Sequence, residues 1–185
     1  DYFAQRDDMQ GDDMVIVSPD VGNVKVANMY AGLLDAKLAI IDKRRESGSE
    51  VVSKRLIGTV EGKTVLMVDD MISTAGTICE AAKLVIEEGA TKVIAAATHG
   101  VCVGPAVERI KNSKISEVII TDTIAPDNRL DGIKDKLQIL SVARFLGEAV
   151  HRIHHHQSIS SLFNRGEGPI LEYPQGLVKG IFKAV

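Results

Sequence analysis

An apolar run that ends in two adjacent carboxylates limits most strongly what this chain can fold into. Residues 64–68 form the run, Asp69 and Asp70 follow it, and a turn of small residues leads to Thr77. A short apolar run closed by turn residues is typical of a buried strand in a parallel sheet. Helical spacing continues over residues 78–88. The stretch therefore predicts a strand, a loop and a helix, with the loop at the carboxyl edge of the sheet, where open α/β folds bind ligands.

The loop combines small residues with two adjacent acids. Ala75 and Gly76 are small enough for backbone N–H groups to approach a phosphate at the N-terminus of a helix. Asp69 and Asp70 beside an anion site require a different partner, which sugar hydroxyl groups or a bound Mg²⁺ would supply. The alternative is a strand that ends in a solvated acidic turn, and two adjacent acids alone would favour it.

A second strand, acid and helix precede this unit. Residues 14–18 are mostly apolar, Asp20 follows in a turn that contains glycine, and apolar residues recur at helical spacing over residues 24–34. Asp20 is therefore expected at the same sheet edge as Asp69. Spacing alone leaves open whether Asp20 binds a ligand or caps the helix that follows it.

The remaining elements alternate between strand and helix. The patterns predict strands at 36–42, 55–58, 92–98, 117–121 and 137–142, and helices at 106–111 and 141–153. This alternation predicts an α/β fold, a parallel sheet flanked by helices on both faces. Two of these strands lead into His99 and Asp122. We expect His99 to be a hydrogen-bonded structural histidine. Asp122 adds an acid to the carboxyl edge of the sheet, where Asp20 and Asp69 are expected.

The composition excludes several classes of partner. The 185 residues carry a formal net charge of −3, so no overall basic field attracts nucleic acid or an anionic membrane. No apolar run approaches the roughly 20 residues that a membrane helix requires. Cys79 and Cys102 are the two cysteines and lack the spacing of a metal or redox motif, which favours a reducing, cytoplasmic setting.

A basic triplet follows the predicted strand at 36–42. Lys43, Arg44 and Arg45 lead into the polar stretch 46–50, which has no periodicity and predicts a mobile loop. Such a triplet is usually solvated surface charge. The alternative is a lid whose cations reach a phosphoryl group only when substrate is bound. Phosphoryl transfer requires such cations where negative charge accumulates on the transferred group.

Three strings together resemble the ribose-phosphate pyrophosphokinase family, which has the type I phosphoribosyltransferase fold. They are residues 68–77, 18–24 and 41–45, and the resemblance extends over residues 14–163. The family carries out transfer of pyrophosphate from Mg-ATP to the C1 hydroxyl of ribose 5-phosphate, which gives phosphoribosyl pyrophosphate and AMP. A stand-alone phosphoribosyltransferase and a non-catalytic regulatory homologue of the synthetase are the alternatives.

The resemblance implies a role for each motif. Asp69 and Asp70 would hold the ribose hydroxyls, Asp20 would meet Mg²⁺, and Lys43 and Arg45 would be the catalytic cations. The 5-phosphate would be bound by Ser73, Thr74, Ala75, Gly76 and Thr77.

Two residues depart from the family pattern. The family usually has Gly at the position of Asn23 and a third Asp at the position of Ser73. Asn tolerates a positive φ better than other non-glycine residues, so the first departure is mild. A serine can donate to a phosphate, but it cannot serve a role that needs a carboxylate.

The resemblance also implies regulation and assembly. Ser158 and Ser160 match a Ser-x-Ser region that binds the phosphates of activating phosphate and inhibitory ADP at a subunit interface. Such a site implies a homo-oligomer, in this family dimers that assemble into a hexamer.

The family has two α/β domains in tandem, and this chain resembles the second. Residues 1–13 are therefore expected to be a linker or the end of a missing N-terminal domain, and residues 14–163 the phosphoribosyltransferase-like domain. Residues 164–185 form a tail that the resemblance does not explain. Because the nucleotide pocket of the first domain has no counterpart here, the chain alone is expected to be inactive.

Overall fold

The computed structural model describes residues 2–6, 9, 13–45 and 52–163. A seven-stranded sheet forms its centre, in the order β3-β2-β1-β4-β5-β6-β7. The strands are β1 (Met14–Ser18), β2 (Lys37–Arg45), β3 (Val52–Ile57), β4 (Thr64–Met71), β5 (Lys92–His99), β6 (Glu117–Thr121) and β7 (Leu137–Leu140). Neighbouring strands are parallel except β2 and β3, so the predicted parallel sheet is confirmed with one antiparallel strand at its edge.

Helices cover both faces of the sheet, as predicted. They are α1 (Val24–Leu34), α2 (Gly76–Glu87), α3 (Ala106–Asn112) and α4 (Ala143–His154). Alternate side chains of β4 point to opposite faces: Val65 and Met67 pack in the core under α2 and α3, and Leu66 and Val68 pack in the core under α1. The central strand is buried on both faces, which explains its continuous apolar run.

The N-terminal segment adds to the core under α1. Met9 is 1% exposed there, and Tyr2 and Phe3 pack against the same cluster. Arg6 donates to both carboxylate oxygens of Glu117, at 2.7 and 2.9 Å, which joins the segment to the start of β6. Tyr2, Phe3, Arg6 and Met9 therefore attach this segment to the domain.

Strand β2 ends three residues later than predicted. Its backbone continues through Lys43, Arg44 and Arg45, which pair with residues 52–54 of β3. The sequence ended this strand at Asp42 and placed the triplet at the hinge of a mobile loop. The backbone of the triplet belongs to β2 instead, because antiparallel pairing with β3 extends the strand beyond its apolar part. The polar stretch 46–50 lies outside the described residues.

Helix α4 lies at the end of the described chain and buries none of its residues. Its apolar side chains Leu146, Val150 and Ile153 are 54%, 67% and 61% exposed. A short 3-10 helix (Ser160–Phe163) follows, and its Phe163 ring lies 5.7 Å from that of Phe145. In the part of the chain that the structure describes, no helix has the length and hydropathy needed to cross a membrane.

Candidate functional site

The two acidic loops lie side by side at the carboxyl edge of the sheet. Strands β1 and β4 are adjacent and parallel, with Val17 opposite Met67. Asp20 and Asp70 each come three residues after this pair, so the topology places both loops at the same edge. The structure therefore brings together the first and second motifs, as the sequence predicted.

Asp69 is half-buried at the end of β4, where its carboxylate accepts the N–H of Asp70 at 2.9 Å. Burial raises the pKa of Asp69 above its usual value, and the negative charges of Asp70 and Asp20 raise it further. The backbone hydrogen bond acts in the opposite direction. The carboxylates of Asp70 and Asp20 are thus close enough to repel that of Asp69, and a cation or hydroxyl donors beside Asp69 would relieve that repulsion.

Asp20 fixes the turn that precedes α1. Its Oδ1 accepts the N–H of Asn23 at 3.0 Å, and its main-chain carbonyl accepts the hydroxyl of Ser18 at 2.6 Å. Asp20 is therefore not the N-cap of α1: Asn23 holds that position, and the carboxylate of Asp20 bonds to the N–H of Asn23 and to none within the helix. Carboxylate oxygens are the ligands that Mg²⁺ prefers, and Mg²⁺ commonly takes only one or two of them from a protein. Asp20 fits such a ligand. Among the described residues, no three His, Cys, Asp or Glu side chains form a complete metal cluster.

Asn23 links the two acidic loops, a role that the sequence did not predict. Its Nδ2 donates to the carbonyl of Val68 at 2.6 Å and lies 3.5 Å from Oδ1 of Asp69. Its φ is −94°, so the position does not use the tolerance of Asn for a positive φ that made the departure from Gly mild. The side chain, and not the backbone conformation, distinguishes Asn from Gly at this position.

The loop after β4 presents a row of main-chain N–H groups. Within the described residues, no protein group accepts a hydrogen bond from the N–H of residues 73–77. Helix α2 begins at Gly76, and Ala75 before it adopts a left-handed conformation with φ of 58°. Free N–H groups at a helix N-terminus favour a bound anion. The hydroxyl groups of Ser73, Thr74 and Thr77 add further donors to the same loop.

The basic triplet reaches the same edge from the other side of β1. Ser18, the last residue of β1, pairs with Ile40 of β2, so the backbone of Lys43 lies three residues beyond it. At the ordinary rise of a strand this is about 10 Å past the end of β1. The backbone of Lys43 and Arg45 therefore projects beyond the edge that carries Asp20.

His99 and Asp122 each make a hydrogen bond at this edge. The His99 ring Nδ1 lies 2.8 Å from the hydroxyl oxygen of Thr123, so the side chain is hydrogen-bonded, as predicted. Asp122 accepts the N–H of Val142 at 2.8 Å, just before α4 begins. Ser158 and Ser160 are exposed after α4, and the Ser158 hydroxyl accepts the N–H of Ser160 at 3.2 Å.

Comparison with known protein families identifies the family of this chain. The family described as "Phosphoribosyl synthetase-associated domain" matches residues 49–164. The chain belongs to the phosphoribosyl synthetase family. The match includes β4, the loop after it and α2, which form one half of the candidate site.

Relatives in this synthetase family are close in sequence. The chain is 47% identical over 163 residues to the ribose-phosphate pyrophosphokinase of Caldanaerobacter subterraneus subsp. tengcongensis, a match that covers 88% of this chain and 50% of that relative. The enzyme of the same name from Gloeobacter violaceus is 51% identical over 154 residues, covering 82% of this chain and 45% of the relative. The chain therefore spans about half the length of the curated relatives it matches.

A solved structure agrees with this assignment to the synthetase family. The phosphoribosylpyrophosphate synthetase of Mycobacterium smegmatis superposes with a TM-score of 0.71 at 41% identity. The superposition covers 78% of this chain and 46% of that one. The predicted fold class is therefore confirmed by a structure of the same family.

Proposed function

We propose that this chain is the ribose 5-phosphate half of a ribose-phosphate pyrophosphokinase. In this proposal the complete protein transfers pyrophosphate from Mg-ATP to the C1 hydroxyl of ribose 5-phosphate. One observation carries the proposal: the N–H groups of residues 73–77 and the carboxylates of Asp69 and Asp70 lie at one sheet edge. An anion site beside hydroxyl acceptors suits a phosphorylated sugar.

Ribose 5-phosphate would bind to the loop after β4 through two kinds of contact. The 5-phosphate would accept from the N–H groups of residues 73–77 and from the neighbouring hydroxyls. The ribose hydroxyls would donate to Asp69 and Asp70. The raised pKa of Asp69 supports this assignment, because hydroxyl donors would stabilise a carboxylate that burial and its neighbours disfavour.

Asp20 would supply a protein ligand to Mg²⁺ at the adjacent loop. Bound Mg²⁺ would neutralise phosphate charge on ATP during the transfer. The Asn23 side chain keeps the Asp20 loop close to the end of β4 through its bond to Val68. The nucleotide phosphates and the sugar would therefore meet between the two loops.

Lys43 and Arg45 would stabilise the transferred group. The C1 oxygen forms a bond to the β-phosphorus, the bond from that phosphorus to the α-phosphate oxygen breaks, and AMP leaves. Phosphoryl transfer of this kind depends on positioning and on cations near the developing charge. The β2–β3 ladder supports this role, because it holds the backbone of both residues beyond the sheet edge.

The remaining part of the active site, the ATP pocket, would be formed by residues outside this chain. Because the relatives are about twice as long, we assign the ATP pocket to residues that this chain does not contain and expect the 185 residues alone to make no product. Exposed apolar residues on α4 support assembly into a homo-oligomer. We propose that dimers form a hexamer and that the protein is cytoplasmic, as the resemblance to the family implies. Ser158 and Ser160 would then bind phosphate or ADP as effectors.

Product analysis on the complete protein encoded by this gene tests the proposal. With ribose 5-phosphate and Mg-ATP we expect AMP and phosphoribosyl pyrophosphate in equal amounts. Pyrophosphate release on addition of phosphoribosyl pyrophosphate and a nucleobase would indicate a stand-alone phosphoribosyltransferase instead. Binding of ribose 5-phosphate with neither product would indicate a non-catalytic regulatory homologue.

A further inference from the structure

Three consecutive carbonyl groups of the loop after β4 are held by one later segment of the chain. The N–H of Cys102 donates to the carbonyl of Ile72 at 2.9 Å, and the N–H of Val103 donates to that of Ser73 at 3.0 Å. The third carbonyl, of Thr74, accepts from the Arg109 guanidinium at 3.0 Å through Nη1. The loop is therefore fixed from the side of residues 102–109.

Fixing these carbonyls also sets the direction of the N–H groups. The described residues contain no cis peptide bond, and in a trans peptide the carbonyl and the following N–H point in opposite directions. Carbonyls 72–74 point toward residues 102–109, so the N–H groups of residues 73–75 point away from that segment. The hydrogen bond to Arg109 thus sets the orientation of the Ala75 N–H.

Arg109 differs from the other two donors because it is a side chain. Within the described residues, no other side chain donates to a carbonyl of residues 72–75. Ala106 and Ile110 are fully buried, so the core fixes the helix that carries Arg109. The guanidinium also lies against the start of α2, since a Cβ added at Gly76 would be 3.3 Å from Nη1.

We propose that Arg109 is a positioning residue for the phosphate of the substrate. It holds the Thr74 carbonyl, so that the Ala75 N–H is oriented toward the phosphate before the substrate binds. This inference rests on the proposed function, in which residues 73–77 bind the phosphate of ribose 5-phosphate. Arg109 acts through the Thr74–Ala75 peptide and does not itself contact the sugar phosphate.

A cavity beside Arg109 gives the proposal a sharp test. The cavity of about 580 Å³ lies between α2 and α3 and is lined by Gly76, Cys79, Arg109 and Ser113, among others. Shortening Arg109 leaves room there for a free guanidinium ion close to the Thr74 carbonyl. Added guanidinium can therefore replace the missing donor without a covalent link.

The test compares Arg109→Met with Lys111→Met in calorimetric titrations of the 185-residue chain with ribose 5-phosphate. Lys111 is exposed on the same helix, so its substitution removes an equal charge without touching the loop. We expect Arg109→Met to weaken binding about tenfold, since a charge-assisted hydrogen bond preorganises the loop. Lys111→Met should bind within twofold of the unsubstituted chain.

Chemical rescue separates positioning from general stabilisation of the fold. Guanidinium chloride at tens of millimolar should restore most of the affinity of Arg109→Met and leave that of Lys111→Met unchanged. Arg109→Lys keeps the positive charge on a donor of different shape, so its affinity for ribose 5-phosphate should lie between those of Arg109→Met and Lys111→Met. In the complete protein, Arg109→Lys should raise the KM for ribose 5-phosphate and leave kcat within twofold.

Three results overturn the inference, and they are distinguishable. Normal affinity in Arg109→Met or Arg109→Lys, or weak binding that guanidinium does not restore, overturns the positioning role alone. Failure of the unsubstituted chain to bind ribose 5-phosphate overturns the proposed function as well. Circular dichroism on each variant shows that the fold is retained, and Arg109→Lys serves as the second variant if Arg109→Met does not fold.

Discussion

The side-chain amide of Asn23 donates to the main-chain carbonyl of Val68 at 2.6 Å, across two loops that are 45 residues apart in the sequence. The same nitrogen lies 3.5 Å from Oδ1 of Asp69. The contact joins the turn that carries Asp20 to the end of β4. A glycine, which the related synthetase motif usually has at this position, has no side chain to make the link.

Asn23→Ala should therefore destabilise the protein. Loss of one partly buried hydrogen bond costs about 1 kcal/mol, which lowers the melting temperature by about 2–4 °C in a domain of this size. Calorimetric unfolding measures the change. Asn112→Ala is the control, because the Asn112 side chain bonds to exposed Glu108 on the same helix and, among the residues that the structure describes, to no other element. Equal melting temperatures for the two variants would contradict the structural role of Asn23.

Asp69→Asn should separate stability from function. Burial and the charges of Asp70 and Asp20 raise the pKa of Asp69, so the folded state binds its proton more tightly than the unfolded state does. The contribution of Asp69 to stability therefore becomes less favourable as pH rises from its ordinary pKa through the raised one. Asn removes this effect.

The expected result for Asp69→Asn is at least tenfold weaker ribose 5-phosphate binding, together with a melting temperature that is unchanged or raised by about 1–2 °C at pH 7. The increase in melting temperature should disappear at a pH well below the ordinary pKa of an aspartate. Asp135→Asn, at an exposed position, should change neither property. A loss of several degrees at pH 7 would show that the carboxylate stabilises the fold instead.

Lys43→Ala should impair catalysis and leave sugar binding intact. Removing one group that stabilises the transition state typically lowers kcat by about 10²–10³-fold. In the complete protein, turnover is measured as AMP release and ribose 5-phosphate affinity by titration, with exposed Lys134→Ala as the control. Normal turnover in Lys43→Ala would rule out the role proposed for the basic triplet.

The local parts of the fold and site were predictable from the sequence. Residues 64–77 have the apolar run, the acids and the small residues that specify a buried strand, a loop and a helix start, and the structure has all three there. The shared edge of Asp20 and Asp69 followed from parallel pairing, since parallel strands end at one edge. These inferences depend on short-range pattern and on one topological rule.

The parts that were missed depend on long-range pairing. Strand β2 continues through charged Lys43–Arg45 because β3 pairs with it. The local periodicity of the sequence does not predict this extension. The contacts of Asn23 with Val68 and of Arg109 with Thr74 join residues 45 and 35 positions apart. An arginine on a short surface helix gives no signal of this role until the helix is placed against the loop.

Amide chemical shifts of the ¹⁵N-labelled chain, titrated with ribose 5-phosphate, test the central claim most directly. The account predicts that the largest changes fall on the N–H groups of residues 73–77 and on Asp69 and Asp70, and that inorganic phosphate moves the loop signals but not those of the two acids. Saturating ribose 5-phosphate that leaves residues 73–77 unchanged, or that shifts a different surface, would contradict it.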